Sequence, residues 1–589
     1  MSYSAPVGEM QFVIEHLAGI EEIFALPGVE ALDADMLEAI LDEAGKFASN
    51  ELAPLNRVGD LEGSHLVDGV VRVPAGFTEA YQKFCEAGWL GLAQDVEYGG
   101  QGLPFLLHFA VSEMRDSACM AFALCPLLSS SAILALSAHG EADQKSAYLE
   151  KMVSGQWTGT MILTEPQAGS DLGVVKTVAT PEGDHYLLRG QKIFITWGDH
   201  EMTDNVVHLV LARIADAPPG SGGLSLFLVP KYLLDADGSP GERNDVHAVS
   251  LEHKLGIHAS PTCVMSFGDE GGAVGYLIGE PNRGLACMFT MMNHARLEVG
   301  LEGVALGERA YQQAVVFARE RVQGRVPGQD PGTPIIGHAD VRRMLMLMRA
   351  HTEAARALAY IAAACVDHVH YNPDPDGRAY YEARLGLLTP VVKGWGTEIA
   401  QEVTSLGLQI HGGMGYVEET GAAQLVRDAR ITPIYEGTNG IQAQDLAGRK
   451  LAGDGGKAMF TLLDEIEQFC AASTESSAHI SPVHVKALGA AAAELRTSAH
   501  YILAHASEAP SLTGSVAFSL LMQAGTVLGA WQLFRAVLAA RHLGEDQLVE
   551  TKLAIANFYA THVLPRARAH HQTVMTGADS AIALPVDRL

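Results

Sequence analysis

The chain has 589 residues, of which 48% are hydrophobic and 7% aromatic, and its 69 acidic against 40 basic side chains give a formal net charge of −29. This composition is typical of a globular protein with several cores and excludes a disordered chain. Because neutralising phosphates requires clustered Lys and Arg, the acidic balance argues against a nucleic-acid partner.

The seven cysteines form no C-x-x-C pair, so neither a disulfide framework nor a cysteine zinc site is expected. The first basic residue is Lys46, which predicts that no signal or transit peptide is present. An apolar stretch at 518–534 contains Gln523 and Gln532 and predicts a buried helix, not an integral membrane segment. We expect a cytoplasmic protein, with peripheral membrane contact through the C-terminal region as a weaker alternative.

Five regions follow one another along the chain. A lead-in at 1–33 precedes an N-terminal helical domain at 34–155, in which apolar residues recur at three- and four-residue spacing. Between 156 and 281, short apolar runs bounded by Gly, Pro, Asp and Asn predict an antiparallel β-barrel or sandwich. Helical periodicity returns at 282–452, and an extension at 453–589 predicts four more amphipathic helices. The predicted fold is mainly α with a central antiparallel β domain.

The sequence lacks the common nucleotide-binding and hydrolase motifs. There is no G-x-G-x-x-G opening a βα unit, no P-loop and no G-x-S-x-G. The run from His200 to Asp204 resembles the zinc helix H-E-x-x-H but ends in Asp and lies in strand-like sequence. His368 and His370 would diverge on a helix. We therefore predict no metal site.

Three separate segments carry the functional argument: T-E-P-Q-A-G-S-D-L-G at 164–173, Q-K-I-F-I-T-W-G at 191–198, and R-D-A-R-I-T-P-I-Y-E-G-T-N-G-I-Q at 427–442. Taken singly, they could be a turn, the end of a strand and a helix N-terminus. Together, in this order and on a helix–strand–helix layout, they resemble the acyl-CoA dehydrogenase family over residues 34–450. The extension at 457–589 resembles that of larger bacterial members, including enzymes acting on 3-(methylthio)propanoyl-CoA.

The resemblance implies FAD as cofactor, held between the β domain and the C-terminal helices. The positions that match contacts to FAD within one subunit are Leu163, Thr164, Gly169, Ser170, Phe194, Ile195, Thr196, Gly437, Thr438 and Asn439. Those that match contacts to the FAD of a neighbouring subunit are Arg321, Gln323, Gln409, Gly412 and Gly413, which implies a homodimer. Three positions depart from the family pattern: Phe194 stands for Trp, Gly324 follows Gln323 where the family has Phe-Gly, and Gly440 replaces Gln.

The resemblance also identifies Glu436 as the catalytic base, which would remove the proton α to the thioester while a hydride leaves the β carbon for FAD. A carboxylate does this only when it is desolvated and well placed. Some relatives carry the base at the position of Ala295, which cannot serve here. The positions that match contacts to acyl-CoA are Ser170, Asn293, Arg296, Tyr435 and Gly437, and Asn293 replaces a more usual Asp.

The expected function is FAD-dependent α,β-dehydrogenation of a saturated fatty acyl-CoA of medium or long chain in β-oxidation, with electrons passed to an electron-transfer flavoprotein. Two alternatives within the family are dehydrogenation of 3-(methylthio)propanoyl-CoA and an acyl-CoA oxidase. A redox-silent acyl-CoA-binding protein and a zinc hydrolase are alternatives from other classes.

Overall fold

The structure is a computed structural model that describes residues 3–475, 480–507 and 509–589. Its central β domain lies between helical regions, as the sequence predicted. The N-terminal region contains α1 to α7 and one β-hairpin. Their bounds are α1 Val7–His16, α2 Ile20–Phe24, α3 Ala34–Phe47, α4 Ala53–Glu62, β1 His65–Val67, β2 Val70–Arg72, α5 Phe77–Glu86, α6 Phe105–His139 and α7 Ala142–Val153.

The β1–β2 hairpin was not predicted. Asp68 and Gly69 form its turn with φ of 50° and 76°, the left-handed backbone that an Asp-Gly pair adopts readily. The sequence therefore contained the signal, but the two strands have only three residues each.

The β domain is one eight-stranded sheet and a separate two-stranded ribbon of β8 and β9. The bounds are β3 Trp157–Ile162, β4 Val178–Glu182, β5 His185–Thr196, β6 Asn205–Ile214, β7 Leu224–Pro230, β8 Tyr232–Leu234, β9 Pro240–Arg243, β10 Val246–Leu251, β11 Thr262–Phe267 and β12 Ala273–Ile278. The main path runs β10-β11-β5-β12-β7-β6-β3, and β4 pairs with β5 and β6. Most pairs are antiparallel, as expected, but β3 and β4 both pair with β6 in parallel.

The C-terminal bundle contains α8 Gly284–Glu320, α9 Ala339–Tyr371, α10 Pro375–Ile410, α11 Ala422–Ala429 and α12 Asn439–Gln444. Helices α8 and α10 come unusually close, because glycines face each other at their contact. A Cβ added at Gly303 would lie 2.7 Å from the carbonyl oxygen of Gly396. This approach brings the middle of α10 next to the part of α8 that carries Arg296 and Glu302.

The described part of the extension contains six helices where four were predicted, since two shorter helices follow the long ones. They are α13 Lys457–Glu475, α14 Pro482–His505, α15 Pro510–Leu543, α16 Asp546–His562, α17 Arg566–Thr576 and α18 Ala578–Ala581. Lys552 on α16 joins the extension to the rest of the chain, because its Nζ lies 2.6 Å from Glu9 Oε2 on α1 and 2.9 Å from Glu353 Oε2 on α9.

Among the described helices, α6 and the Ser511–Leu543 part of α15 are long and apolar enough to cross a membrane, judged by length and composition alone. Their most apolar windows are 94% and 67% buried inside the protein, respectively. Such burial is typical of core helices, and the buried helix predicted at 518–534 lies within α15.

Candidate active site

Glu436 lies on a short turn between α11 and α12. Glu436 has φ of 55° and Gly437 has φ of 84°, so two consecutive residues adopt the left-handed conformation. For a residue with a side chain this backbone is uncommon and persists when the surroundings hold it. Thr438 ends the turn as the N-cap of α12, where its Oγ1 accepts a hydrogen bond of 3.2 Å from the Ile441 N–H.

Tyr435 fixes the turn on its N-terminal side. Its hydroxyl donates a short hydrogen bond to Oε2 of Glu302 on α8. Glu302 is fully buried, and burial together with the nearby Asp116 raises its pKa well above the usual range.

Lys393 fixes the turn on its C-terminal side. It lies on α10, is completely buried, and donates from Nζ to the carbonyl oxygen of Gly437 at 2.8 Å and to Asn439 Oδ1 at 2.9 Å. Asn439 also donates through Nδ2 to Glu398 Oε1 at 2.9 Å. The residues on both sides of Glu436 are thus attached to two different long helices.

The environment of Glu436 makes it a proton acceptor that works near neutral pH. Burial raises the pKa of its carboxyl to about 7, against the opposing effect of the cations Arg296 and Lys393. Arg296 is itself buried, and its Nη1 donates to Asn293 Oδ1 at 3.4 Å. A base with this pKa takes a proton readily and gives it up again at physiological pH.

A second group of predicted residues lies in the β domain. The segment that begins with Leu163 and Thr164 pairs with β5, since the Ile193 N–H donates to the Thr164 carbonyl at 3.0 Å. Lys192, completely buried, donates to the Leu163 carbonyl at 2.9 Å and lies 2.9 Å from Glu165 Oε1. These contacts place the first predicted flavin-facing segment directly beside the second.

Phe194 presents its ring to solvent, with 58% of the residue exposed. The register between β5 and β11 shifts here, because Cys263 pairs with Ile195 whereas Met265 pairs with Lys192. The bulge and a φ of 59° turn Phe194 away from the sheet. Ile195 points into the core instead, and Thr196 is half-buried.

These residues fit the isoalloxazine and pyrophosphate of FAD. An exposed aromatic face beside a hydroxyl suits a planar ring system, and large exposed aromatic side chains commonly mark binding sites. Gly169 and Ser170 are both exposed, and open space surrounds the position of a Cβ at Gly169. A phosphate could therefore approach the backbone closely there.

A third group of predicted residues lies away from Glu436. Arg321 caps the C-terminus of α8, Gln409 lies at the end of α10, and Gly412 and Gly413 follow it. These residues and Gln323 are all exposed. Since Arg321 is 25 positions beyond Arg296 on one helix, the two lie about 37 Å apart. Arg321 therefore lies far along α8 from Arg296, which is one of the cations beside Glu436.

The residues considered for metal binding have other partners. His200 lies in the loop after β5, not in a strand as expected, and its ring nitrogens contact Thr158 Oγ1 at 2.9 Å and the Met202 N–H at 3.2 Å. His368 stacks on Tyr381.

Among the described residues, His108, His294 and Glu298 have potential ligand atoms within 4.8 Å of one another. The guanidinium of Arg115 lies 3.5 Å from Glu298 Oε2, however, and would repel a metal ion. This group is therefore better explained as a buried cluster of ion pairs.

The sequence did not identify four residues that shape the site: Glu165, Lys192, Glu302 and Lys393. One signal was present for Lys393, a charged residue within the otherwise uncharged run from Leu385 to Thr397. Buried charges are rare unless they are paired, so such a residue indicates a specific partner. Neither its partner nor that of Glu302 follows from local sequence.

This combination of a helical domain, a β domain and a bundle with a carboxylate turn defines the acyl-CoA dehydrogenase class, and the chain belongs to that family. It matches the acyl-CoA dehydrogenase N-terminal domain at 34–156, the middle domain at 160–269 and the C-terminal domain at 282–451. Residues 462–585 match the domain described as acetyl-CoA dehydrogenase C-terminal like. Enzymes of this family oxidise CH–CH groups and depend on FAD.

Individual relatives extend the similarity over the whole chain. It is 45% identical to 3-methylmercaptopropionyl-CoA dehydrogenase of Ruegeria pomeroyi, over 99% of each chain. It is 34% identical to a butyryl-CoA dehydrogenase of Syntrophomonas wolfei, over 94% of this chain and 93% of the relative. The solved structure of an acyl-CoA dehydrogenase complexed with FAD from Bacillus anthracis has the same fold, with a TM-score of 0.75 and 21% identity over 97% of this chain and 93% of that one.

Proposed function

We propose that the chain dehydrogenates a short acyl-CoA thioester between Cα and Cβ, with 3-(methylthio)propanoyl-CoA as its substrate and Glu436 as the base. The observation that supports the reaction is the half-buried Glu436 carboxyl, whose pKa is raised by burial to about 7, on a turn fixed from both sides. The similarity to the Ruegeria pomeroyi dehydrogenase favours this substrate over the medium- or long-chain fatty acyl-CoA that the sequence alone suggested.

The residues of the chain divide the work between them. Glu436 accepts the proton from Cα, and bound FAD supplies the acceptor for the hydride that leaves Cβ. Arg296, Asn293 and Ser170 would bind the acyl-CoA, as their positions in the family pattern imply. The turn itself contributes the backbone of Glu436 and Gly437, next to which the thioester would lie.

We also propose a homodimer in which Arg321, Gln323, Gln409, Gly412 and Gly413 reach the FAD of the partner subunit. The exposure of all five residues supports this assignment, as does the distance of Arg321 from Arg296 along α8. Electrons would then pass to an electron-transfer flavoprotein. A cytoplasmic location is consistent with the unpaired, buried thiols of Cys119, Cys125 and Cys263.

The substrate is tested by anaerobic titration of the purified FAD-bound protein with 3-(methylthio)propanoyl-CoA, butanoyl-CoA and octanoyl-CoA. We expect the first compound to bleach the flavin absorbance. In a parallel turnover assay with an artificial electron acceptor, its kcat/KM should be at least about tenfold above that of octanoyl-CoA. A preference for octanoyl-CoA would contradict the proposed substrate but not the reaction. If none of the three compounds bleaches the flavin, the proposed reaction is wrong. Fast reoxidation by oxygen alone would instead indicate an oxidase.

A further inference from the structure

Lys393 is a buried lysine whose partners belong to the turn that carries Glu436. None of its surface is exposed, and both of its hydrogen bonds, to the Gly437 carbonyl and to Asn439 Oδ1, go to residues just after Glu436. Burying an ammonium group costs free energy unless it is paired or hydrogen-bonded. A lysine kept at this position therefore has a specific task at the turn.

The turn needs such an anchor, because its backbone is held in an uncommon conformation. Glu436 and Gly437 both have φ in the left-handed region. Nε2 of Gln442 also reaches the Gly437 carbonyl, but only at 3.4 Å, and its bond to the Glu436 carbonyl is 3.3 Å long. The hydrogen bond from Lys393 is the shortest of the three and connects the turn to α10.

Lys393 affects the base through its charge as well as through its hydrogen bonds. Arg296 on α8 and Lys393 on α10 are the two cations that favour the ionised form of Glu436. Burial lowers the pKa of Lys393 to about 8, so the group is still mainly charged at neutral pH. The other charged or titratable groups around these three are Glu302, Glu398, Tyr435, Asp445 and Arg449.

We propose that Lys393 is a positioning residue for the dehydrogenation: its ammonium group holds the Gly437–Asn439 side of the turn and places a positive charge beside the Glu436 carboxyl. This inference rests on the proposed function, since it assigns Glu436 the role of base. It adds a residue from a different helix, 44 positions away from Gly437 in the sequence.

The test compares Lys393→Met, which removes the charge and the hydrogen bonds, with Lys393→Gln, which keeps an N–H donor without the charge. Lys552→Met is the matched control, because Lys552 is also a buried, ion-paired lysine but lies on α16 with Glu9 and Glu353. All variants are prepared with FAD bound. Two readouts are taken: the rate of flavin reduction by acyl-CoA against pH, and hydrogen–deuterium exchange of peptides that cover residues 433–442.

In Lys393→Met, we expect saturating acyl-CoA to reduce the flavin at least about tenfold more slowly than in the wild type, with little change in KM. Because the base must be ionised, activity is lost as pH falls through the pKa of Glu436. Removing a nearby cation raises that pKa, so the acidic limb should move up by about one pH unit in both Lys393 variants. Lys393→Gln should lose less rate than Lys393→Met. Exchange at 433–442 should be faster in Lys393→Met and unchanged in Lys552→Met.

An unchanged acidic limb together with unchanged exchange at 433–442 in either Lys393 variant would overturn the inference. So would equal effects in Lys552→Met, which would indicate a general loss of stability. If no acyl-CoA reduces the wild-type flavin, the proposed function fails separately, and the exchange data then decide whether Lys393 holds the turn. If Lys393→Met does not fold, Lys393→Gln supplies both readouts.

Discussion

Tyr435 and the buried Glu302 form a part-buried hydrogen bond immediately beside the base, and this pair makes a testable contribution to stability. Replacing Tyr435 by Phe removes the donor and leaves the buried carboxyl group of Glu302 without that partner. Leaving a buried polar group unsatisfied costs about 1–3 kcal/mol. We expect Tyr435→Phe to lower the free energy of unfolding by that amount, as measured by urea denaturation at a fixed FAD concentration.

The double variant Tyr435→Phe/Glu302→Leu provides the control. Replacing both partners by apolar groups removes the unsatisfied acid, so most of the lost stability should return. If the double variant is less stable than Tyr435→Phe alone, the cost comes from packing and not from the hydrogen bond.

At the scale of single residues, the sequence motif led to Glu436, Tyr435 and Arg296, because their neighbours in the chain are distinctive. It could not lead to Glu302 or Lys393. Glu302 is 133 positions from its partner Tyr435, and the two meet only because α8 packs beside the turn. Contacts of this kind depend on helix packing, which local periodicity does not determine.

The segment from Leu163 to Thr177 depends on a buried carboxylate for its shape. Glu165 accepts hydrogen bonds from the backbone N–H groups of Lys176 at 2.7 Å and Thr177 at 3.0 Å, and from Thr177 Oγ1 at 2.6 Å. Burial alone would raise the pKa of Glu165, but Lys192 and these hydrogen bonds outweigh it and hold the pKa at about 2. The ion pair with Lys192 attaches the segment to β5.

We expect Glu165→Gln to destabilise the protein by about 3 kcal/mol, because it leaves the buried charge of Lys192 without its partner. The folded-state pKa of Glu165 is below its usual 4.5. Its contribution is therefore complete above pH 4.5 and is lost as pH falls toward 2. As pH falls from 4.5 toward 2, the melting temperature of Glu165→Gln should therefore decrease less than that of the wild type.

A matched control for this prediction is Glu182→Gln, since Glu182 is exposed on the neighbouring strand β4. It should leave both the stability and the FAD content unchanged. Glu165→Gln should also retain less FAD on dilution if the 163–170 segment binds the cofactor. Equal FAD retention in the two variants would remove this segment from the proposed FAD site.

At the scale of elements, the order of helices and strands was predictable from periodicity, whereas pairing was not. The runs at 206–211 and 224–229 are indeed β6 and β7. The parallel pairing of β3 with β6 is a long-range contact between strands more than forty residues apart in the chain. No turn between them fixes their direction, so alternation of residue types carries no information about it.

At the scale of the whole molecule, the extension supports the helix that carries Lys393. Trp395, two residues after Lys393 on α10, packs against α15 so closely that a Cβ at Gly525 would lie 2.1 Å from its ring. Arg566 on α17 also binds Glu402 of α10, with its Nη1 2.7 Å from Glu402 Oε2. We infer that the extension stabilises α10 through these contacts, while Lys393 on the same helix faces the turn.

The central claim is that Glu436 removes the α proton, and rapid anaerobic mixing of wild type and Glu436→Gln with the preferred acyl-CoA tests it most directly. The pH should lie above the pKa of about 7 of Glu436, so that the wild-type base is ionised. We predict that flavin reduction slows by about 10²- to 10⁴-fold in the variant, while FAD content and acyl-CoA binding stay unchanged. Reduction within a few-fold of the wild-type rate would contradict the account.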